Sequence, residues 1–176
     1  MATASYLHDV RQQLTVALCL HNFPSQLVER HNKPEIEVQT SPELLLPPVR
    51  ISRSDNERCL IEQSINSTRI SFKFKATDQV EEYLLRTYLS FMIHRAEELE
   101  LVRRAPLPGY DLTLLITSSH LLRYERPKLI DFICQFVEDL SSEISEMKLS
   151  LRTRARAVAE EFWRVAEQQQ QQQQQR

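Results

Sequence analysis

A chain of 176 residues is the size of one domain with a hydrophobic core and some extension, because domains most often contain roughly 100–150 residues. Hydrophobic residues make up 41% and charged residues 26% of the chain, which excludes a disordered polymer and indicates a water-soluble globular protein. The formal net charge of -2 leaves no overall field that would steer the chain toward nucleic acid or an anionic membrane.

The N-terminal third of the chain begins with a helical pattern. Apolar side chains recur every three or four positions from Tyr6 to Leu20, which predicts a first helix that should end before Pro24. A further helical turn can form at residues 25–30. Prolines then recur through residues 31–48, so this stretch should be an extended connector with a short strand at residues 36–38.

The middle of the chain alternates apolar and polar residues, which is typical of strands with one wet face. Strands are predicted at residues 49–53, 59–61, 69–75, 99–103 and 111–117, and the first three should form an antiparallel meander. Asp78 stands where an N-cap would stabilise a second helix that runs toward Arg95. The fold class is therefore α+β, a mostly antiparallel sheet covered by helices.

A long C-terminal helix is the feature with the largest consequence. Apolar residues recur at steps of three and four from Leu129 to Val165 without an intervening proline or glycine. Such a helix would be about 55 Å long, whereas a compact domain made from the preceding residues should be only about 35 Å across. The helix should therefore extend from the domain, and a partner should cover its late apolar residues: Ile144, Met147, Leu151, Ala155, Val158 and Phe162.

The alternative is a helix that breaks near Ser141 or Ser150 and folds back as ordinary core. Neither position contains a strong helix breaker, and the apolar stripe keeps its phase across both, so the extended form is favoured. This interpretation divides the chain into an α+β domain at residues 1–125, an interaction helix at 126–166 and a disordered polyglutamine tail at 167–176.

Catalytic, cofactor and metal sites are not predicted. Gly109 is the only glycine, which excludes phosphate-binding loops that need several glycines, and the five histidines show no HExxH spacing. No serine stands in a GxSxG elbow. The three cysteines are far apart and odd in number, as expected for reduced thiols. With no leader pattern and no long apolar run, the sequence favours a cytosolic protein that does not insert into a membrane.

A basic stripe accompanies the late part of the long helix. Lys148, Arg152 and Arg156 fall four residues apart and share one face, while Arg154 points elsewhere. The stripe could be a solvated face, could contact an acidic protein, or could bind phosphates as part of a nucleic-acid-binding module. The last alternative is disfavoured because no aromatic platform accompanies the arginines.

Several long and unusual runs resemble the family of subunit 4, of about 20 kDa, of the actin-related protein 2/3 complex. The resemblance extends from about Tyr6 to Phe162, and the run at residues 143–150 is the most specific. The runs are 17–20 (ALCL), 28–35 (VERHNKPE), 43–46 (ELLL), 64–67 (SINS), 95–97 (RAE), 109–111 (GYD), 143–150 (EISEMKLS), 155–156 (AR) and 159–162 (AEEF).

The resemblance implies a structural subunit without catalysis or cofactor. It implies pairing with subunit 2 through long C-terminal helices, contact with the two actin-related subunits and other small subunits, and a place in branched actin networks of the cytoplasm and cell projections. It also implies that the mother filament is contacted near the late basic residues, which are Lys148, Arg152, Arg154 and Arg156. The glutamine tail departs from the family pattern.

Overall fold

The computed structural model describes residues 2–20, 33–39, 41–76, 78–95 and 100–174. The helical turn predicted at residues 25–30 and the helix end predicted before Pro24 lie outside these residues. The first predicted helix is confirmed as α1, which spans Ala2–Leu20. Its apolar stripe is buried at Val10, Leu14 and Leu18, as the helical spacing requires.

A four-stranded antiparallel sheet forms the centre of the domain, in the order β1-β2-β3-β4. The strands are β1 at Val49–Ser54, β2 at Glu57–Gln63, β3 at Ser67–Lys73 and β4 at Leu112–Thr117. Ile61 pairs with Ile70, which pairs with Leu114, so each neighbouring strand adds to the same apolar row. The predicted meander is thus confirmed.

The connector before the sheet differs from the prediction. Residues 36–38 were expected to form a strand, but Glu35–Val38 form one turn of helix, α2, and Pro42–Leu44 form a turn of 3-10 helix. The Asn66 side chain explains this, since its Oδ1 accepts a 2.8 Å hydrogen bond from the Glu35 backbone and its Nδ2 donates to the Lys33 carbonyl at 3.1 Å. A side chain from 31 residues away therefore decides the local conformation.

The second predicted helix is confirmed as α3, Gln79–Arg95, with Asp78 at its start. Asp78 Oδ1 accepts a 2.8 Å hydrogen bond from the Glu81 backbone N–H, which satisfies one of the unpaired donors of the first turn. The strand predicted at residues 99–103 is wrong for the described part, 100–103. Glu100 has a left-handed φ of 47°, and a single bridge joins Val102 to Leu114.

Two helices complete the described fold. α4 spans Ser118–Arg123, and α5 runs without a break through Arg126–Gln174, so the alternative of a helix broken near Ser141 or Ser150 is wrong. α5 contacts α1 and α3, and α1 lies against β1 and β2. The structure confirms the α+β class and the long C-terminal helix. The helix includes the glutamines at 168–174, and the domain boundaries at 125/126 and 166/167 stay predictions.

His120 stabilises the start of α4, which sequence periodicity did not indicate. Its Nδ1 accepts a 3.0 Å hydrogen bond from the Thr117 backbone N–H, so this nitrogen carries no proton. Burial lowers the pKa of His120, and the nearby Arg123 and Arg103 lower it further, while Glu100 opposes them. The folded chain therefore holds a neutral imidazole at this position.

The lowered pKa of His120 predicts a stability that depends on pH. The unfolded chain binds a proton near the ordinary histidine pKa of about 6.5, whereas the folded chain binds it only at lower pH, so stability should fall as pH drops below about 6.5. His120→Gln removes this titration. We therefore expect the thermal unfolding midpoint of this variant to change less between pH 7.5 and pH 5.5 than that of the parent chain. An unchanged pH dependence in His120→Gln would contradict this assignment.

Candidate protein-protein interface

Helix α5 is divided by its surroundings into a buried half and an exposed half. Ile133, Val137 and Leu140 are enclosed by the core of the domain. Beyond them, every described side chain from residue 149 to residue 158 is exposed. The stripe of apolar residues continues across this change, because helical periodicity is independent of whether a neighbouring element covers the face. The exposed half is therefore amphipathic but uncovered by described residues of its own domain.

The six residues predicted to meet a partner fall into three groups. Ile144 is buried in the domain core, and Met147 packs against the core while remaining partly exposed. Leu151 is 42% exposed, Val158 is 71% exposed and Ala155 is exposed as well. The Phe162 side chain lies outside the described part of the structure. The domain thus covers the first two residues, and the uncovered described stripe consists of the next three.

Leu149 is an exposed apolar residue that the stripe did not include. It is 68% exposed and lies about 200° around the helix from Leu151, since each residue turns an α-helix by about 100°. Its position outside the periodic pattern is the reason that sequence reasoning missed it. A single exposed leucine is common on protein surfaces, so Leu149 alone does not define a second interface.

Lys148 is held inside the domain by acidic residues at the start of α3. Its Nζ forms an ion pair with Glu81 and lies 3.9 Å from Asp78 Oδ2. The side chains of Lys148 and Glu81 are only 17% and 12% exposed. The prediction of filament contact placed Lys148 on an open basic stripe, but the structure places its ammonium group against two carboxylates of its own chain.

The three arginines that follow are more open. Arg152 Nη2 lies 3.7 Å from Asp78 Oδ2, and Arg156 Nε forms a 2.9 Å ion pair with Glu160 one turn later. Both guanidinium side chains remain largely exposed, and such surface pairs contribute little to stability. No ion pair within the described residues involves Arg154, which is exposed. The open positive charge therefore lies beside the uncovered apolar stripe.

One described cavity is bordered by an acidic and a basic side chain that bind each other. A cavity of about 550 Å³ is bordered by Lys73, Tyr110 and Asp111, but the Asp111 carboxylate accepts hydrogen bonds from Lys73 and from the Phe74 backbone, both at 2.9 Å. The described histidine side chains, His8 and His120, do not line it.

The thiols that the structure describes are buried. Cys59 and Cys134 are buried free thiols, and burial raises both pKa values, so neither is a reactive thiolate. The described residues contain no group of three or more potential metal ligands, and the helices among them include none suited to crossing a membrane.

The geometry defines a class of protein: an α+β domain whose C-terminal helix presents an apolar stripe beyond its own core. A family model, ARP2/3 complex 20 kDa subunit (ARPC4), matches residues 1–165. The chain belongs to this family.

Relatives from distant organisms support the assignment across nearly the whole chain. The chain is 54% identical over 157 residues to the probable actin-related protein 2/3 complex subunit 4 of Caenorhabditis elegans, covering 89% of this chain and 93% of that protein. It is 51% identical over 164 residues to actin-related protein 2/3 complex subunit 4 of Dictyostelium discoideum, with 92% and 97% coverage. It is 51% identical over 158 residues to the Saccharomyces cerevisiae subunit, with 89% and 92% coverage.

Proposed function

We propose that this chain is a non-catalytic structural subunit of the actin-related protein 2/3 complex that pairs with subunit 2 through the exposed half of α5. The observation that carries the proposal is the uncovered stripe of Leu151, Ala155 and Val158 on an unbroken helix. A helix that extends beyond its domain is stabilised mostly by packing its apolar face. The exposed half of α5 therefore needs the surface of another protein to cover this face.

The free energy of burying the stripe favours a protein partner. Covering a leucine or valine side chain contributes about 1.5–3 kcal/mol relative to leaving it in water. Leu151 and Val158 are seven residues apart, which places them two turns apart on nearly the same face. A long helix of a second subunit matches this spacing, because two helices can interdigitate such residues along a common seam.

The proposed subunit acts by holding other subunits rather than by catalysis. The pair with subunit 2 would support the two actin-related subunits and the other small subunits, so that branched actin filaments can be nucleated. The corresponding location is the cytoplasmic actin network, including cell projections. No cofactor, nucleic acid or membrane insertion belongs to this proposal.

Coexpression tests the pairing directly. We expect the full chain to copurify with subunit 2 as a one-to-one complex, whereas the chain expressed alone should aggregate or remain partly unfolded because α5 is uncovered. Size-exclusion chromatography with light scattering would report both states. A soluble, well-folded monomer that ignores subunit 2 would contradict the proposal.

We further propose that the mother filament is contacted by the exposed guanidinium groups of Arg152, Arg154 and Arg156. Their exposure leaves them available, and long-range attraction to an acidic surface would favour docking of the assembled complex. We leave Lys148 out of this proposed contact, because its ammonium group forms an ion pair within the domain. The proposal therefore keeps three of the four basic residues that the resemblance implicated.

Charge reversal at the open arginines separates filament contact from assembly. We expect Arg154→Glu with Arg156→Glu to leave the yield of the assembled complex unchanged but to lower the branching rate several-fold, since both side chains lie on the surface. Lys128→Glu is the matched control, because Lys128 is an exposed cation at the other end of α5. Loss of the complex itself would show that the arginines are structural.

A further inference from the structure

Two carboxylates at the start of α3 face an ammonium and a guanidinium group in the middle of α5. Asp78 uses Oδ1 to cap α3, and its Oδ2 faces Lys148 and Arg152 at 3.9 and 3.7 Å. Glu81, in the first turn of α3, forms the close ion pair with Lys148. We call these four residues, Asp78, Glu81, Lys148 and Arg152, the exit cluster.

The exit cluster lies where α5 leaves the domain. Ile144 is the last residue of the stripe that the core buries, and Met147 is still half-buried. Lys148 follows at once, and from residue 149 to residue 158 the described side chains are exposed. The ion pairs of the exit cluster therefore join α5 to α3 at the point where the buried half of the helix ends and its exposed half begins.

We infer that Lys148 is a positioning residue: its ion pair with Glu81 sets the direction in which the exposed half of α5 leaves the domain and so presents the stripe to the partner. This inference rests on the proposed pairing with subunit 2. It assigns Lys148 a role inside the chain, which differs from filament contact.

A small change in helix direction at Lys148 becomes a large displacement at the far end of α5. From Lys148 to Arg164 an α-helix rises about 24 Å, so a tilt of about 10° at the exit would move the far end by about 4 Å. Interdigitating side chains tolerate much less displacement, because packed interfaces are as dense as protein interiors. A change in exit direction should therefore weaken pairing although no partner contact has been altered.

Burial makes the loss of either charge of the Lys148–Glu81 pair costly. Lys148 and Glu81 are 17% and 12% exposed, so removing one charge leaves the other poorly solvated. The surface pair between Lys128, on the first turn of α5, and Glu125, just before that helix, has side chains 74% and 70% exposed, and it serves as a matched control. Reversal of a charge in the exposed pair should have no comparable effect.

A charge-swap experiment tests the inference in the full chain coexpressed with subunit 2. We expect Lys148→Glu to weaken pairing about tenfold in dissociation constant, because three carboxylates would then meet at the exit. Adding Glu81→Lys should restore the dissociation constant to within about threefold of the parent, whereas Lys128→Glu should leave it unchanged. Lys148→Arg, which keeps the positive charge, should also pair normally.

The experiment distinguishes a failure of this inference from a failure of the proposed function. If the parent chain does not pair with subunit 2, the proposed function fails before any variant is compared. If the parent pairs and Lys148→Glu pairs equally well while branching falls, Lys148 contacts the filament and the positioning role is overturned. If Lys148→Glu weakens pairing and Glu81→Lys does not restore it, the ion pair is not the cause and the inference is also overturned.

Discussion

Leu151→Asp and Val158→Asp are each expected to lower recovery of the complex with subunit 2 by at least tenfold. Leu151 and Val158 lie on the uncovered stripe of α5, where an aspartate would place an unpaired carboxylate in the proposed seam. A tenfold loss of affinity corresponds to only about 1.4 kcal/mol, which is less than the expected cost of burying a charge, so at least this loss is expected. Copurification from coexpressing cells, followed by dilution of the purified complexes to measure their dissociation, would measure it.

Thr153→Asp is the matched control for this prediction. Thr153 lies between the two stripe residues in sequence but about 200° around the helix from Leu151, so its side chain faces away from the seam. The control introduces the same charge into the same exposed segment, and recovery should be unchanged. Normal recovery of Val158→Asp would show that the partner does not cover this stripe, since Val158 contributes little to the domain itself.

Ile133→Ala is expected to destabilise the domain by about 2–5 kcal/mol, because Ile133 is fully enclosed in the core and its truncation leaves a cavity. For a chain of this size each kcal/mol lowers the thermal midpoint by about 2–4 °C. The thermal midpoint of the pair with subunit 2 should therefore fall by several degrees to more than ten degrees.

Leu149→Ala is the comparison within the same helix. Leu149 is largely exposed, so its truncation removes few packing contacts and should shift the midpoint by no more than a degree or two. Equal falls for the two variants would contradict the division of α5 into a buried half and an exposed half. A large fall for Ile133→Ala alone would support it.

The helices and strands could largely be predicted because their signals are local. The spacing that predicts α1, α3 and α5 repeats within one or two turns, and the alternation that predicts β1 and β3 repeats every second residue. The two errors differ in kind. Asn66, a distant residue, holds α2 in a helical turn where the prolines indicated an extended strand. At the other position, Glu100 has a left-handed backbone, and the segment after it forms a single bridge.

The candidate interface could also be predicted only as far as local periodicity determines it. Periodicity alone was enough to predict a continuous C-terminal helix with an apolar stripe and a row of basic residues, since all of these depend on neighbours three or four positions away. Whether a stripe residue is covered depends on the rest of the domain, which buries Ile144 and leaves Val158 in water. Only the tertiary structure could show that Lys148 meets Glu81, a residue 67 positions earlier, because an ion pair forms between groups that folding brings together.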